Sequence, residues 1–423
     1  MRVLMTSFAQ EAHFNGMVPL AWALRTAGHE VRVAGHPALT ESITRAGLTA
    51  VPVGPDHVMD EVMRSMGGRI LGMHQVADFL ENRPERLGLD FLKGHDSVMT
   101  STFYSQVNGE AMVDDLVEFG LSWKPDLVLW EPFTFAGAVA ARTCGSAHAR
   151  VLSFPDLFLS TRRTFTDKLA SGPEERRDDV LAEWLTWTAR RHGEEFGDDL
   201  VEGQWSVDQT PGPVRLESAR TILPMRYVPH NGSLPAVIPP WLRQRPDRPR
   251  VAVTLGMTVR NTEFPNAVNV ADLFDAVADL DIEVVATLTA PDLERMSGVP
   301  DNVRLVEHVP LHALLATCSA IVHHGGAGTW STAAAQGVPQ VALGWMWDAI
   351  YRAQSLERLG AGLYLHSHEL TATLLRDRIL RVLEEPSFPK AAERLGHEIA
   401  AMPSPNEVVH ELERLTDEFR RRP

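Results

Sequence analysis

Ala320-Ile-Val-His-His-Gly-Gly-Ala-Gly-Thr-Trp330, continued by an apolar stretch without proline, reads as a buried strand that passes through a glycine-rich turn straight into a helix. Such a junction leaves unpaired backbone N–H groups at the positive end of the helix dipole, which is where anions bind. Glycines let the backbone come close to a ligand, His324 adds a donor able to carry charge, and the Thr329 hydroxyl serves as cap or phosphate donor. A diphosphate suits this turn. The plain alternative is a tight strand-to-helix connection with a histidine nearby. The glycine spacing is not that of the dinucleotide fingerprint, and no P-loop lysine follows.

Working outward, the second half of the chain repeats this strand–helix plan at 250–256, 283–288, 303–309, 320–324 and 340–344. The first half does so at 2–8, 30–35, 50–54, 126–131 and 149–154, with a helix over about 18–27 closed by Gly28. Continuous apolar runs separated by helical stretches predict parallel strands buried on both faces. The fold class is therefore α/β, with two doubly wound, Rossmann-like domains facing across a cleft. The proline-dense segment 231–249 is the expected linker between a domain at 1–230 and another at 250–404. A terminal helix at about 405–423 is expected to return to the first. Ligands of open α/β sheets sit at the carboxyl ends of the strands, which places the site in the cleft.

A chain of 423 residues is too long for one ordinary core. The net charge of -15 argues against nucleic acid or an acidic membrane surface as partner, so an anionic substrate must be held by local dipoles and a few cations. No stretch approaches a membrane span of about 20 apolar residues. The opening Met-Arg-Val-Leu-Met-Thr-Ser-Phe starts as a strand without the order of a signal peptide. The two cysteines, Cys144 and Cys318, suit buried thiols in a reducing cytoplasm and build no metal framework. Residues 56–110 break the alternation with a stretch rich in Met, Phe and charge, including Phe79, Phe103 and Tyr104. An excursion this long after the third strand reads as a lid or binding segment over the first domain, or else as an ordinary pair of helices with buried aromatics.

Several ordered motifs now make the resemblance specific. They are His13-Phe-Asn-Gly-Met-Val-Pro-Leu-Ala-Trp-Ala-Leu-Arg-Thr-Ala-Gly-His-Glu-Val, Trp130-Glu-Pro-Phe-Thr-Phe-Ala136 and Gly203-Gln-Trp-Ser-Val-Asp208 in the first half. In the second come Val309-Pro-Leu-His-Ala-Leu-Leu, His323-His-Gly-Gly-Ala-Gly-Thr-Trp, Gly337-Val-Pro-Gln, Trp347-Asp348 and Leu359-Gly-Ala-Gly362. Over nearly its whole length the chain resembles the GT-B glycosyltransferases that decorate polyketide antibiotics, within them those adding deoxyaminosugars to macrolides and anthracyclines. Glu81-Asn-Arg-Pro-Glu85 and the segment 133–141 lean to the anthracycline side. The resemblance implies inverting, metal-independent transfer from a dTDP-deoxysugar to a hydroxyl of an apolar polyketide aglycone, with no cofactor. It also implies a helper protein similar to a haem-less cytochrome P450, and a homodimer is a further expectation.

Residue chemistry fits that implication. Displacement at an anomeric carbon needs a base for the acceptor hydroxyl and stabilisation of the departing diphosphate. His13 follows the first strand and has a side chain suited to proton transfer near neutral pH. Glu131, at the end of the fourth strand, is placed to hold its tautomer; many similar enzymes carry Asp there. On the donor side His324, Gly326, Gly328 and Thr329 match diphosphate-holding positions, helped by the turn carrying Gly256 and Thr258. Val309 matches a main-chain contact to thymine, and Asp348 an acid that hydrogen-bonds sugar hydroxyls, with helix capping as its alternative role. Phe79, Phe133, Phe135 and Phe154 are the candidate acceptor wall.

Asp279-Leu-Asp281 spells the DxD metal signature of another glycosyltransferase class, but it precedes a strand and so belongs to the wrong sheet edge. Two other functions remain open, a nucleotide-sugar epimerase of the same fold and a catalytically idle binding homologue. The large excursion and the cleft aromatics argue against the first, and the joint presence of His13, Glu131, His324 and Asp348 against the second.

Overall fold

The computed structural model describes residues 1–56, 81, 83–174, 177–232, 237–256, 270–287, 298–344 and 347–420. Two wholly parallel sheets organise them. The first contains β1 (Arg2–Thr6), β2 (Glu30–Gly35), β3 (Thr49–Pro52), β4 (Leu127–Trp130), β5 (Ala147–Leu152), β6 (Trp205–Asp208) and β7 (Ile222–Pro224), in spatial order β3-β2-β1-β4-β5-β6-β7. The second contains β8 (Arg250–Thr254), β9 (Glu283–Thr287), β10 (Val303–Val306), β11 (Ala320–His323), β12 (Gln340–Ala342) and β13 (Gly362–Tyr364), in order β10-β9-β8-β11-β12-β13.

Each strand expected from the apolar runs is present. β4 and β5 are buried at every position, as a sheet covered by helices on both faces requires. Alternate residues feed opposite layers. Val3 and Met5 pack with Leu127 and Leu129, whereas Leu4 packs with Val128 and Trp130 on the other face. Three strands were not anticipated: β6, β7 and β13. They are short and polar, or punctuated by Pro and Gly, and they lie together at one end of their sheets, with β7 and β13 as the edge strands.

The helix Val409–Phe419 packs on the first sheet's layer through Val409, Leu412 and Leu415. Phe419 meets Trp205 at 5.4 Å between ring centroids, and Arg420 pairs with Asp126. Between the sheets, Pro240–Arg243 forms a single 3-10 turn.

Within 56–110 the described part is helical. The helix Leu89–Met99 runs into a π-helical turn, Thr100–Tyr104, and then Ser105–Val107. Asp96 on this helix pairs with Arg162 of the helix Leu157–Ser171, and Arg162 also pairs with Asp179. The buried-aromatic alternative therefore describes 89–107, though these aromatics reach the candidate site.

Candidate functional site

In each sheet the strand order reverses direction at one point, between β1 and β4 in the first and between β8 and β11 in the second. Crevices outside the carboxyl ends at such points are where open α/β sheets bind ligands. His13 follows β1 and Glu131 follows β4, while Gly256 follows β8 and His324 follows β11. The topology thus gathers four of the expected residues into two pairs.

His13 sits on the short helix Glu11–Asn15, and its Nδ1 lies 2.8 Å from Glu131 Oε1. Glu131 is 2% exposed and would be costly to bury ionised without donors. Its Oε2 accepts from the Phe133 N–H at 2.9 Å and from the Thr134 hydroxyl at 3.1 Å. The Thr134 oxygen in turn accepts the Phe8 N–H at 3.2 Å, which ties the loop after β4 to the loop after β1. With the carboxylate on Nδ1, the imidazole keeps its proton there and leaves Nε2 as the base. Rings surround it: Phe8 at 4.9 Å, Phe154 at 5.7 Å and Phe133 at 6.0 Å. Phe103 packs edge-on against both Phe8 and Phe133, and Tyr104 stacks on Phe133. The π turn is what presents Phe103 and Tyr104 as neighbours to this cluster.

Phe135 is not among the rings that border His13. At the start of the helix Phe135–Cys144, it is completely buried against Tyr104, Trp130, Phe158 and Trp184. Phe79 and Thr258 lie outside the described residues.

Sequence reasoning missed Asn108. Its buried carboxamide donates to the Phe133 carbonyl at 2.8 Å and accepts from the Ala136 N–H at 2.9 Å, clamping the loop that carries Glu131. A lone Asn ending a helical excursion gives no periodic signal that would reveal this role.

In the second domain Gly326 caps the helix Ala327–Ala335, so the N–H groups of Ala327, Gly328 and Thr329 are the free donors of its first turn. A Cβ at Gly326 would stand 2.5 Å from His324 Nε2, and one at Gly256, which has φ +71, would also strike that ring. The imidazole therefore lies between two side-chain-free positions, one from each loop at the reversal. His323 is fully buried; its Nδ1 accepts the Gly325 N–H at 3.0 Å and its Nε2 donates to Gln340 Oε1 at 2.9 Å. Burial, with His324 adding to it, pushes its pKa down to about 3, so it is a neutral brace for the turn. Tyr227, which follows β7, donates to the Gly328 carbonyl at 3.2 Å and joins the two halves at the helix start. Val309, the expected thymine contact, is buried with Leu314 and Leu315. Asp348 lies in the first turn of the helix Trp347–Leu359 and pairs with Arg352.

Asp279 and Asp281 fall just before β9, at the edge opposite the site, and Asp281 faces Arg248 at 3.4 Å. Among the described residues no cluster of three or more His, Cys, Asp or Glu has the arrangement of a metal site. Cys144 and Cys318 are free and partly exposed, and burial raises their thiols to about 11 and about 12. None of the described helices is long and apolar enough to cross a membrane.

Two parallel-sheet domains, with a histidine–carboxylate pair at one reversal and a glycine-rich turn opening a helix at the other, have the architecture of the GT-B glycosyltransferases. Among solved structures the chain is similar to the glycosyltransferase VinC in complex with dTDP (TM-score 0.87, 41% identity, 99% of this chain and 100% of that one). It is also similar to the spinosyn forosaminyltransferase SpnP (TM-score 0.81, 38% identity, 99% of each). The chain belongs to the erythromycin biosynthesis protein CIII-like family, whose N-terminal domain matches residues 22–256 and whose C-terminal domain matches 271–415. Its relatives include the aklavinone 7-beta-L-rhodosaminyltransferase of Streptomyces galilaeus, 59% identical over 100% of this chain and 97% of that protein. The TDP-daunosamine transferase DnrS of Streptomyces peucetius is 53% identical over 99% and 98%. The 10-deoxymethynolide desosaminyltransferase of Streptomyces venezuelae is 49% identical over 100% and 99%.

Proposed function

We propose that this glycosyltransferase moves a deoxyaminosugar from a dTDP-sugar to a hydroxyl of an anthracycline-type aglycone, with inversion and without a metal. The observation that carries the reading is the His13–Glu131 pair inside an aromatic enclosure. An epimerase has no need of such a wall beside its base. The acceptor rests on the first domain against Phe133, Phe154 and Phe103, where flat rings stack. The donor lies on the second, with its diphosphate on the Gly326–Thr329 N–H groups and His324, its thymine at the Val309 main chain and its sugar at Asp348.

His13 Nε2 takes the acceptor proton as the oxygen attacks the anomeric carbon. The bond from that carbon to the diphosphate oxygen breaks, and dTDP leaves with the electron pair, its charge met by the helix dipole and His324. Glu131 stabilises the imidazolium that forms. Attack opposite the leaving group inverts the anomeric centre.

A matrix of purified enzyme, several dTDP-deoxysugars, and anthracycline and macrolide aglycones, read by mass spectrometry, tests this. Product only with macrolides would move the acceptor assignment, and donor consumption without any acceptor would replace transfer by epimerisation or hydrolysis. The same reading includes a P450-like helper, a homodimer and a cytoplasmic setting; adding the helper to the matrix and sizing the complex in solution examines the first two.

A further inference from the structure

Arg352 is 3% exposed, and burying a guanidinium is costly unless its partners compensate. Its partners are two pieces of the donor site. Nη2 donates to the Gly325 carbonyl at 2.5 Å, and Nη1 pairs with the carboxylate of Asp348 one helical turn earlier. Its Nε and Nη1 are buried and neither makes a hydrogen bond among the described residues; Nη1 is held by the ion pair alone. Gly325 has φ +91, and a Cβ there would meet that of Ala349 at 3.0 Å, so the glycine turn and the start of the helix Trp347–Leu359 are in direct contact. One buried cation thus joins the loop after β11 to the acid after β12.

We propose that Arg352 is a positioning residue of the donor site, whose guanidinium neutralises Asp348 so that a carboxylate and a diphosphate can share the Gly325 turn. The inference rests on the donor placement given above. Asp348 and the nucleotide diphosphate are both anions, and in a half-buried site of low effective dielectric they repel. The acid is needed to accept from sugar hydroxyls. The guanidinium engages Oδ2, cancels its charge and leaves Oδ1 as the acceptor offered to the sugar. The same fork fixes the Gly325 carbonyl, and with it the direction of the N–H groups that follow. Burial lowers the Arg352 pKa to about 9, so the group remains a cation at neutral pH.

Calorimetric titration of dTDP into the full chain and its variants distinguishes this role from mere packing. Arg352→Gln should weaken dTDP by about 10- to 100-fold, because it leaves Asp348 as an uncompensated anion beside the diphosphate. Asp348→Asn should leave dTDP affinity unchanged or raise it, since the cation is then unopposed beside the diphosphate, while lowering sugar transfer. The double variant R352Q/D348N should regain most of the lost dTDP affinity without regaining transfer. Melting curves separate a purely structural arginine, for which R352Q would lose stability but, once folded, bind dTDP as the parent does. Unchanged dTDP binding in R352Q, or a double variant as weak as R352Q, overturns the proposal. Should R352Q not fold, Arg352→Lys keeps the charge but gives up the fork; dTDP affinity should fall by less than about tenfold, and a larger loss would mean that the fork rather than the charge carries the role, overturning the proposal. His324→Ala separates the two levels: if it leaves dTDP binding intact, the donor turn itself is misplaced, whatever Arg352 does.

Discussion

His13 Nδ1 and Glu131 Oε1 lie 2.8 Å apart although 118 residues separate them in sequence, because β1 and β4 are neighbours at the point where the first sheet reverses. The carboxylate is held by three further constraints: the Phe133 N–H, the Thr134 hydroxyl and its own burial. An orienting partner so fixed leaves the imidazole one useful tautomer.

His13→Ala should therefore lower turnover by about 10² to 10⁴, the usual share of a general base, with dTDP affinity unchanged. Glu131→Gln keeps the shape and should cost less. Steady-state kinetics beside calorimetry reads both, and near-normal turnover in His13→Ala would remove it from the mechanism.

On the donor side, His324→Ala should weaken dTDP by about 1.5–3 kcal/mol, the range for a hydrogen bond to a charged group. A chelator should leave transfer unchanged. Strict dependence on Mg²⁺ or Mn²⁺ would bring Asp279-Leu-Asp281 back into the account.

Gly326→Ala places a methyl where the His324 ring now lies, 2.5 Å from Nε2. The imidazole must turn away. Stability should fall by about 1–3 kcal/mol, as for overpacking, and dTDP binding should fall towards that of His324→Ala. Melting curves with and without dTDP would reveal this as a nucleotide-induced shift smaller than that of the parent enzyme.

Acid should act through His323. Unfolded, its imidazole takes a proton near the ordinary 6.5; folded, it refuses one until about 3. Between those values the unfolded chain binds more protons, so stability declines as pH falls through that window. His323→Asn offers an amide oxygen to the Gly325 N–H and has nothing to titrate. Its stability should vary less between pH 7 and pH 5 than the parent's, and an equal slope would acquit His323.

Hydrogen exchange separates the two ligands. An aglycone should protect residues 89–107, whose Phe103 and Tyr104 line the His13 enclosure, whereas dTDP should protect 325–329. Protection of 89–107 by dTDP alone would contradict the assignment of acceptor and donor to separate domains.

Local pattern alone determined the parallel class, ten of the strands and the glycine-rich turn into a helix. Apolar runs, helical periodicity and the Gly325–Gly328 cluster each carry their meaning within a few residues. The pairing of His13 with Glu131 was legible only through strand-end placement and family resemblance together, since no local pattern links a histidine after β1 to an acid after β4. Edge strands such as β7 and β13 escaped because Pro224 and Gly362 read as turn signals, and at a sheet edge such residues are tolerated. Phe133 and Phe135, two residues apart, look alike in sequence. Only packing decided that Phe133 borders His13 while Phe135 is sealed in the core. Asn108, Tyr227 and Arg352 were invisible for the same reason. Each acts through hydrogen bonds or charge directed at groups from other elements of the fold, and the cost of burying an unpaired polar group is set by neighbours that exist only once the chain has folded.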